Sequence, residues 1–314
     1  MSAKLPTRET PDYDEHYVAP DADKADFAEL PDAPPRQRFR LSWTGKIGVA
    51  VVLFWLFIAF FGSWLAPYGE NDLPFPDDYA EFQEPRAGAW LGTDGADRDV
   101  LSRLLYGAGR TLGISVTAAV LAYIIGVTAG MLAAAGGRWL DAILSRTNDA
   151  FLSFPNIMLG LIVVAAVGSS IPVLILTAAG IYATIVFRLA RAIAMEVAVM
   201  DYVEAARVRG ENTWWVILRE VWPNAALPLL SDFGLRTIYI ILFISSLGFL
   251  GLGVQPPQAD WGSMVRENLG ALQYGGSIWA VLAPAFAIAS VTVAINLIVD
   301  DVSVHSGGRL AQRL

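Results

Sequence analysis

The chain contains no cysteine among its 314 residues and only two histidines, His16 and His305. Disulfides and thiolate metal sites are thereby excluded. Both histidines fall near the chain ends and read as solvated side chains rather than metal ligands. Charge is scarce as well: Asp, Glu, Lys and Arg make up 17% of the residues, against about 25% in a typical soluble domain. No Gly-rich phosphate loop ends in Lys-Ser or Lys-Thr, so no nucleotide site is expected here. No buried nucleophile–base pair or His/Asp/Glu constellation suggests an enzyme. The chain is expected to need no metal or cofactor of its own and to bind no nucleic acid.

Apolar residues are abundant instead, at 55% of the chain with a mean hydropathy of +0.48. They fall in uncharged runs, and a helix crossing a bilayer needs about 20 such residues. Ile47–Ala66 and Thr111–Gly137 each form one run. Ala150–Phe187 is long enough for two helices, divided at Gly168–Pro172, and Thr237–Val254 and Ser277–Val299 supply the last two. The expected fold is an all-α membrane protein of six transmembrane helices. Its segments are a tail over 1–46, a first span over 47–66, a loop over 67–108, a five-helix core over 109–300 and a tail over 301–314.

The net charge of −8 is concentrated in two places. Residues 1–34 and residues 67–108 each hold nine acids and three bases. The first stretch, rich in Asp, Glu, Pro and Ala, reads as disordered, and Ser42 is placed to cap a helix leading into the first span. The acidic, long N-terminus does not look like a cleaved signal, so the first span is expected to remain. Putting the N-terminus inside assigns thirteen Lys or Arg to inner segments, from Arg36 to Arg313, and only Arg86, Arg98, Arg103 and Arg266 to outer ones. Lys/Arg bias sets topology, so both termini are expected in the cytoplasm and the 67–108 loop outside.

Within the apolar body, Ala118, Ala122, Gly126, Gly130 and Ala134 form a stripe of small residues at intervals of four. Such a face lets helix backbones approach closely, either within this chain or against another subunit. Asp232 precedes Arg236 by four residues, a spacing at which the two pair on one helix face. Other ionisable residues at membrane depth are rare, which counts against an ion-driven carrier, the rival reading.

The most informative stretch lies between the fourth and fifth spans. Asp201–Val208 reads as a short helix, Gly210 as a turn needing positive φ, and Glu211–Trp222 as a second, apolar helix stopped by Pro223. Asn212 or Thr213 is placed to cap that second helix. Ala205 and Ala206 leave a face without bulk, with Glu204, Arg207 and Arg209 at its rim, as if to enter a partner's groove.

Glu204, Ala205, Ala206, Gly210 and Pro223 resemble, in identity and spacing, the Glu-Ala-Ala loop of binding-protein-dependent ABC importer permeases. Leu91-Gly92-Thr93-Asp94 followed by Arg98-Asp99 and Arg103 is similar to the external segment of the dipeptide and oligopeptide "C"-type subfamily. Gly248–Pro257 followed by Trp261-Gly262 is similar to the same subfamily, and the likeness runs from about residue 91 to 300. It implies the type I importer permease fold, with Glu204, Ala205, Ala206, Arg207, Gly210, Trp214 and Pro223 as the ATPase-coupling residues. It places Gly92, Thr93, Asp94, Arg98, Asp99, Arg103 and Gln255 at an external gate or binding-protein contact. The implied partners are a homologous second permease, two ABC ATPases, which would carry the ATP and magnesium, an external or periplasmic solute-binding protein and the lipid of the inner membrane. The implied solute is a peptide or related small molecule. Asp97 departs from the subfamily, which has glycine there; so do the ending after Asp300 and the acidic N-terminal tail.

Overall fold

Small side chains decide how the bundle is assembled. In the computed structural model, which describes residues 42–217, 219 and 222–311, the long helix α2 (Val100–Ala135) runs parallel to α5 (Ile171–Ala198). A Cβ added at Gly126 would lie 2.6 Å from the Ala183 carbonyl oxygen, and one at Gly130 2.7 Å from that of Phe187. Ala118 and Ala122 are fully buried, as are Ala178 and Ala190 on the facing helix. The small-residue stripe therefore packs inside this chain, by backbone approach where lipid offers no hydrophobic drive between helices.

Helix α1 (Trp43–Leu65) closes one side, antiparallel to both α2 and the last helix, Trp279–Ala311. Gly48 and Gly62 lie against the carbonyls of Ala294 and Leu105 at distances that leave no room for a Cβ. The Trp55 indole donates to Ser290 Oγ at 2.8 Å. Ser42 caps α1 directly, accepting from the Gly45 N–H at 3.2 Å, so the span begins at Trp43, four residues before the run read from the sequence.

The third span is a correction. In place of one straight helix beginning at Ala150, α3 (Arg138–Leu152) and α4 (Asn156–Val167) meet at 86°. Twelve residues of helix reach about 18 Å, short of a hydrocarbon core of about 30 Å. Pro155 explains the break, since it has no N–H to continue α3. Among the described residues, five helices are long and apolar enough to cross a membrane, and the bent pair, counted as one broken span, makes six.

Between α5 and α8 (Trp222–Phe249) lie two short helices, α6 (Asp201–Val208) and α7 (Thr213–Val216). Pro223 does not stop the second short helix: it stands in the first turn of α8, where a missing N–H costs nothing. At the opposite end, α9 (Trp261–Glu267) and α10 (Leu269–Tyr274) precede α11 (Trp279–Ala311). Two boundaries move: α2 starts at Val100, inside the segment read as loop, and α11 continues as helix past Asp301. Residues 1–34 and the three arginines Arg36, Arg38 and Arg40 lie outside the described residues.

Candidate functional site

Two assemblies occupy opposite ends of the bundle. At one end, α5 passes into α6 through a tight turn, in which the Met200 N–H donates to the Val197 carbonyl at 3.1 Å and the Val203 N–H to the Met200 carbonyl at 2.9 Å. Gly210 takes a φ of +83°, the left-handed turn expected there. Asn212 then caps α7, its Oδ1 accepting from the Trp215 N–H at 2.8 Å. The Arg209 guanidinium stands 5.9 Å from the Trp215 ring centre, within cation–π range.

The register of α6 overturns one expectation. Ala206, with Val203, is fully buried against the chain's own Ala194, Val197, Val216, Ala225 and Leu229. Its small side chain is needed for internal packing, not for entering a partner's groove. The outer face is marked by Asp201 and Val208, the latter 83% exposed. Val199, Met200, Arg209, Gly210, Arg219, Trp222 and Pro223 are exposed around it. This is an apolar surface with basic residues at its edge. The side chains of Glu204, Ala205, Arg207 and Trp214, four of the expected coupling residues, lie outside the described ones.

At the other end, residues 66–99 fold over the helix ends as a cap. Asp94 accepts from the Ala96 and Arg98 N–H groups at 2.9 Å through one oxygen. Its other oxygen meets Arg98 at 2.8 Å and Arg103 at 3.2 Å. Asp99 caps α2 through the Ser102 N–H and hydroxyl at 2.7 and 2.6 Å. Arg103, 1% exposed, also reaches Glu267 on α9 at 3.4 Å. Glu70 chelates Arg110 and accepts from the Ala259 N–H. Burial pushes the Glu70 carboxyl up, but the hydrogen bonds of Arg110 and Ala259 outweigh it and hold it below its ordinary value. Burial raises Glu267 despite the neighbouring arginines.

The cap brings together Asp94, Arg98 and Arg103, and it turns them inward. Thr93, Asp94, Asp99 and Arg103 are buried, so they hold the cap shut and do not form a free landing surface. Gly92 has a φ of +77° and Thr93 Oγ accepts from Gln83 N–H at 2.9 Å. Gln255 is exposed and spends its amide on the carbonyls of Gly251 and Gly253. Asp97 adopts a φ of +56°. That conformation accounts for glycine in the subfamily and is among the few that Asp tolerates.

Glu70 and Glu267 were missed by sequence reading, because they stand 40 and 164 residues from the arginines they meet; Asp260 was missed although it directly precedes the Trp261-Gly262 pair. Asp260 caps α9 through Gly262 and Ser263 N–H groups. Trp261, fully buried, donates its indole N–H to the Leu104 carbonyl at 3.1 Å, and this anchors α9 on α2. Inside the bundle the expected Asp232–Arg236 pair forms at 2.9 Å, and Tyr123 donates to the same carboxylate at 2.5 Å. Among the described residues no group of three acids or histidines is placed to hold a metal ion.

Residues 126–305 match a family model described as "Binding-protein-dependent transport system inner membrane component". The chain is 32% identical over 273 residues to the dipeptide transport system permease protein DppC of Alkalihalophilus pseudofirmus, covering 85% of this chain and 88% of the relative. A putative peptide transport system permease protein of Brucella suis is 35% identical over 276 residues, with 88% and 91% covered. The glutathione transport system permease protein GsiD of Pectobacterium atrosepticum is 32% identical over 289 residues, with 88% and 94% covered.

Proposed function

The chain belongs to the family of binding-protein-dependent transport system inner membrane components, and we propose that it forms half of the pathway of an ATP-driven peptide importer. Its solute class follows the names of its relatives, which transport dipeptides, peptides and glutathione. In this reading a homologous permease completes the pathway and two cytoplasmic ATPases supply ATP and magnesium. A solute-binding protein delivers the peptide from outside. The chain itself binds no cofactor and catalyses no reaction. It lies in the inner membrane with both termini in the cytoplasm, in keeping with its Lys/Arg distribution.

The observation that carries the coupling role is the exposed apolar and basic end of α6 and the turn after it, at Val208, Arg209 and Gly210. Patches of this kind mark docking surfaces. The α6–α7 unit packs on α5 through Ala194 and Val197 and on α8 through Ala225 and Leu229. Closure of the ATPase pair would shift α6, and with it both helices. The ATPase state then biases which opening of the pathway is populated. The test is Val208→Glu expressed with the whole complex, which should cut solute uptake and ATPase copurification while chain insertion is unchanged. Full uptake would refute the coupling role.

A further inference from the structure

Asp232 and Arg236 place a charged pair in an otherwise apolar span, and helix packing does not use all of it. Both lie in Pro228–Phe249, the part of α8 long and apolar enough to cross a membrane, with Arg236 near its middle. Arg236 donates to Asp232 through Nε and Nη2, at 3.1 and 2.9 Å. Tyr123 on α2 donates to the same carboxylate at 2.5 Å. Asp232 is thereby held from two helices, whereas Arg236 is held along one edge only. Its Nη1 makes no hydrogen bond among the described residues and is not among the sealed polar atoms. The Arg236 side chain is 21% exposed.

That exposure has a direction. Tyr239, one turn on, is 49% exposed, and its ring centre stands 5.8 Å from the Arg236 guanidinium. Leu242 and Ser246 continue the exposed stripe toward the capped end of the bundle. Helix α1 offers the contrast, for along its middle it exposes Phe54, Phe57, Phe60 and Phe61, a face suited to lipid. An ionisable group at membrane depth faces protein or a water-filled cavity, because lipid leaves its charge unsolvated. The face of α8 that carries Arg236, Tyr239 and Ser246 is therefore not a lipid face. The same helix receives the α6–α7 unit at Ala225 and Leu229, so movement at the docking surface reaches Arg236 along one element.

We propose that this face lines the translocation pathway and that Arg236 is a solute contact within it, its open Nη1–Nη2 edge taking the C-terminal carboxylate of the passing peptide. The proposal rests on the peptide-importer reading and adds a named ligand contact to it. A guanidinium fork matches a carboxylate in bidentate geometry. A charged terminus crossing an apolar region needs such a partner, since burying it unpaired is costly. Asp232 limits the strength of the contact. It competes for the same guanidinium and reclaims it when the peptide leaves, and a pathway site must release as readily as it binds.

The chain has no native cysteine, so Tyr239→Cys gives one reporter beside Arg236 and Phe57→Cys one on the apolar face of α1. The assembled importer in proteoliposomes is treated with an anionic and a cationic methanethiosulfonate of similar size, and labelling of this chain is followed by mass spectrometry. Tyr239→Cys should react about tenfold faster than Phe57→Cys, which lipid shields from both charged reagents. Adding Arg236→Gln should shift the ratio of anionic to cationic rates about tenfold toward the cation, and Asp232→Asn should shift it toward the anion. Alanyl-alanine, supplied with the binding protein and ATP, should slow the labelling of Tyr239→Cys, and Arg236→Gln should remove that protection. Arg236→Lys should keep the rate ratio but weaken the protection, because it keeps the charge and loses the fork. If Arg236→Gln does not assemble, Asp232→Asn and Arg236→Lys carry the same test. Labelling of Tyr239→Cys no faster than Phe57→Cys, a rate ratio indifferent to the charges at 232 and 236, or protection that survives loss of the fork would overturn the site. Failure of the unsubstituted complex to import alanyl-alanine would instead reject the peptide-importer reading and the peptide as ligand, while the rate ratios still decide whether the face is aqueous.

Discussion

Glu70 shows how much of the cap rests on single side chains. Its carboxylate is shared between Arg110 and the Ala259 backbone, and so joins the cap to the start of α9. Glu70→Ala leaves both donors without their acceptor and should destabilise the cap by about 1–3 kcal/mol. Limited proteolysis of residues 66–99 in the purified complex would measure it. The carboxyl is held below its ordinary value of 4.5. Its contribution is therefore fully present above that pH and is lost as pH falls through the lower folded value. Arg98→Glu would set a third acid beside Asp94 and Glu267, and should likewise loosen the cap. The arginines and Asp94 were legible in the sequence as a charged motif. Their inward direction was not, because Glu70 and Glu267 are distant in the chain and nothing local announces them.

At the scale of elements, the parallel pair α2 and α5 and the α6–α7 unit both need small residues for packing within the chain. Gly126→Leu would push its side chain into the Ala183 carbonyl and Val186 Cβ, 2.6 and 2.7 Å from the position of a Cβ. Overpacking of this kind costs about 1–3 kcal/mol or more. The expected result is a lower yield of folded chain and a reduced melting temperature in detergent. Ala206→Trp should behave in the same way, since Ala206 is fully buried in this chain, whereas Val208→Glu should leave the yield intact. A yield unaffected by Ala206→Trp would show that α6 packs otherwise. The stripe on α2 was readable because a period of four identifies one helix face. The turn at Gly210 and the cap at Asn212 were readable from residue chemistry. The inward face of Ala206 was not, because it depends on which side of α6 meets α5 and α8. Nor was the α3–α4 break fully legible: Pro155 is visible in the sequence, but most of the amphipathic α3 before it falls between two apolar runs, in the stretch read as an inner segment with Arg138 and Arg146.

For the whole molecule, the proposed orientation, drawn from charge bias and alternating helices, has the 66–99 cap outside and α6–α7 inside. The absence of cysteine makes the orientation easy to check. A cysteine at Asp78, which is exposed, should react with an impermeant thiol reagent in intact cells, and one at Arg209 should react only after permeabilisation. The reverse pattern would invert the chain and remove α6–α7 from any cytoplasmic ATPase. The number of spans was legible from apolar length, while the bend that divides one of them was a matter of tertiary geometry. The coupling surface around α6–α7 is the central claim, and one cross-linking measurement tests it most directly. Val208→Cys, derivatised with a benzophenone maleimide in the assembled complex, should cross-link on irradiation to an ATPase subunit, identified by mass spectrometry. Adducts found only on lipid, or only within this chain, in a complex that still imports solute at the full rate, would contradict it.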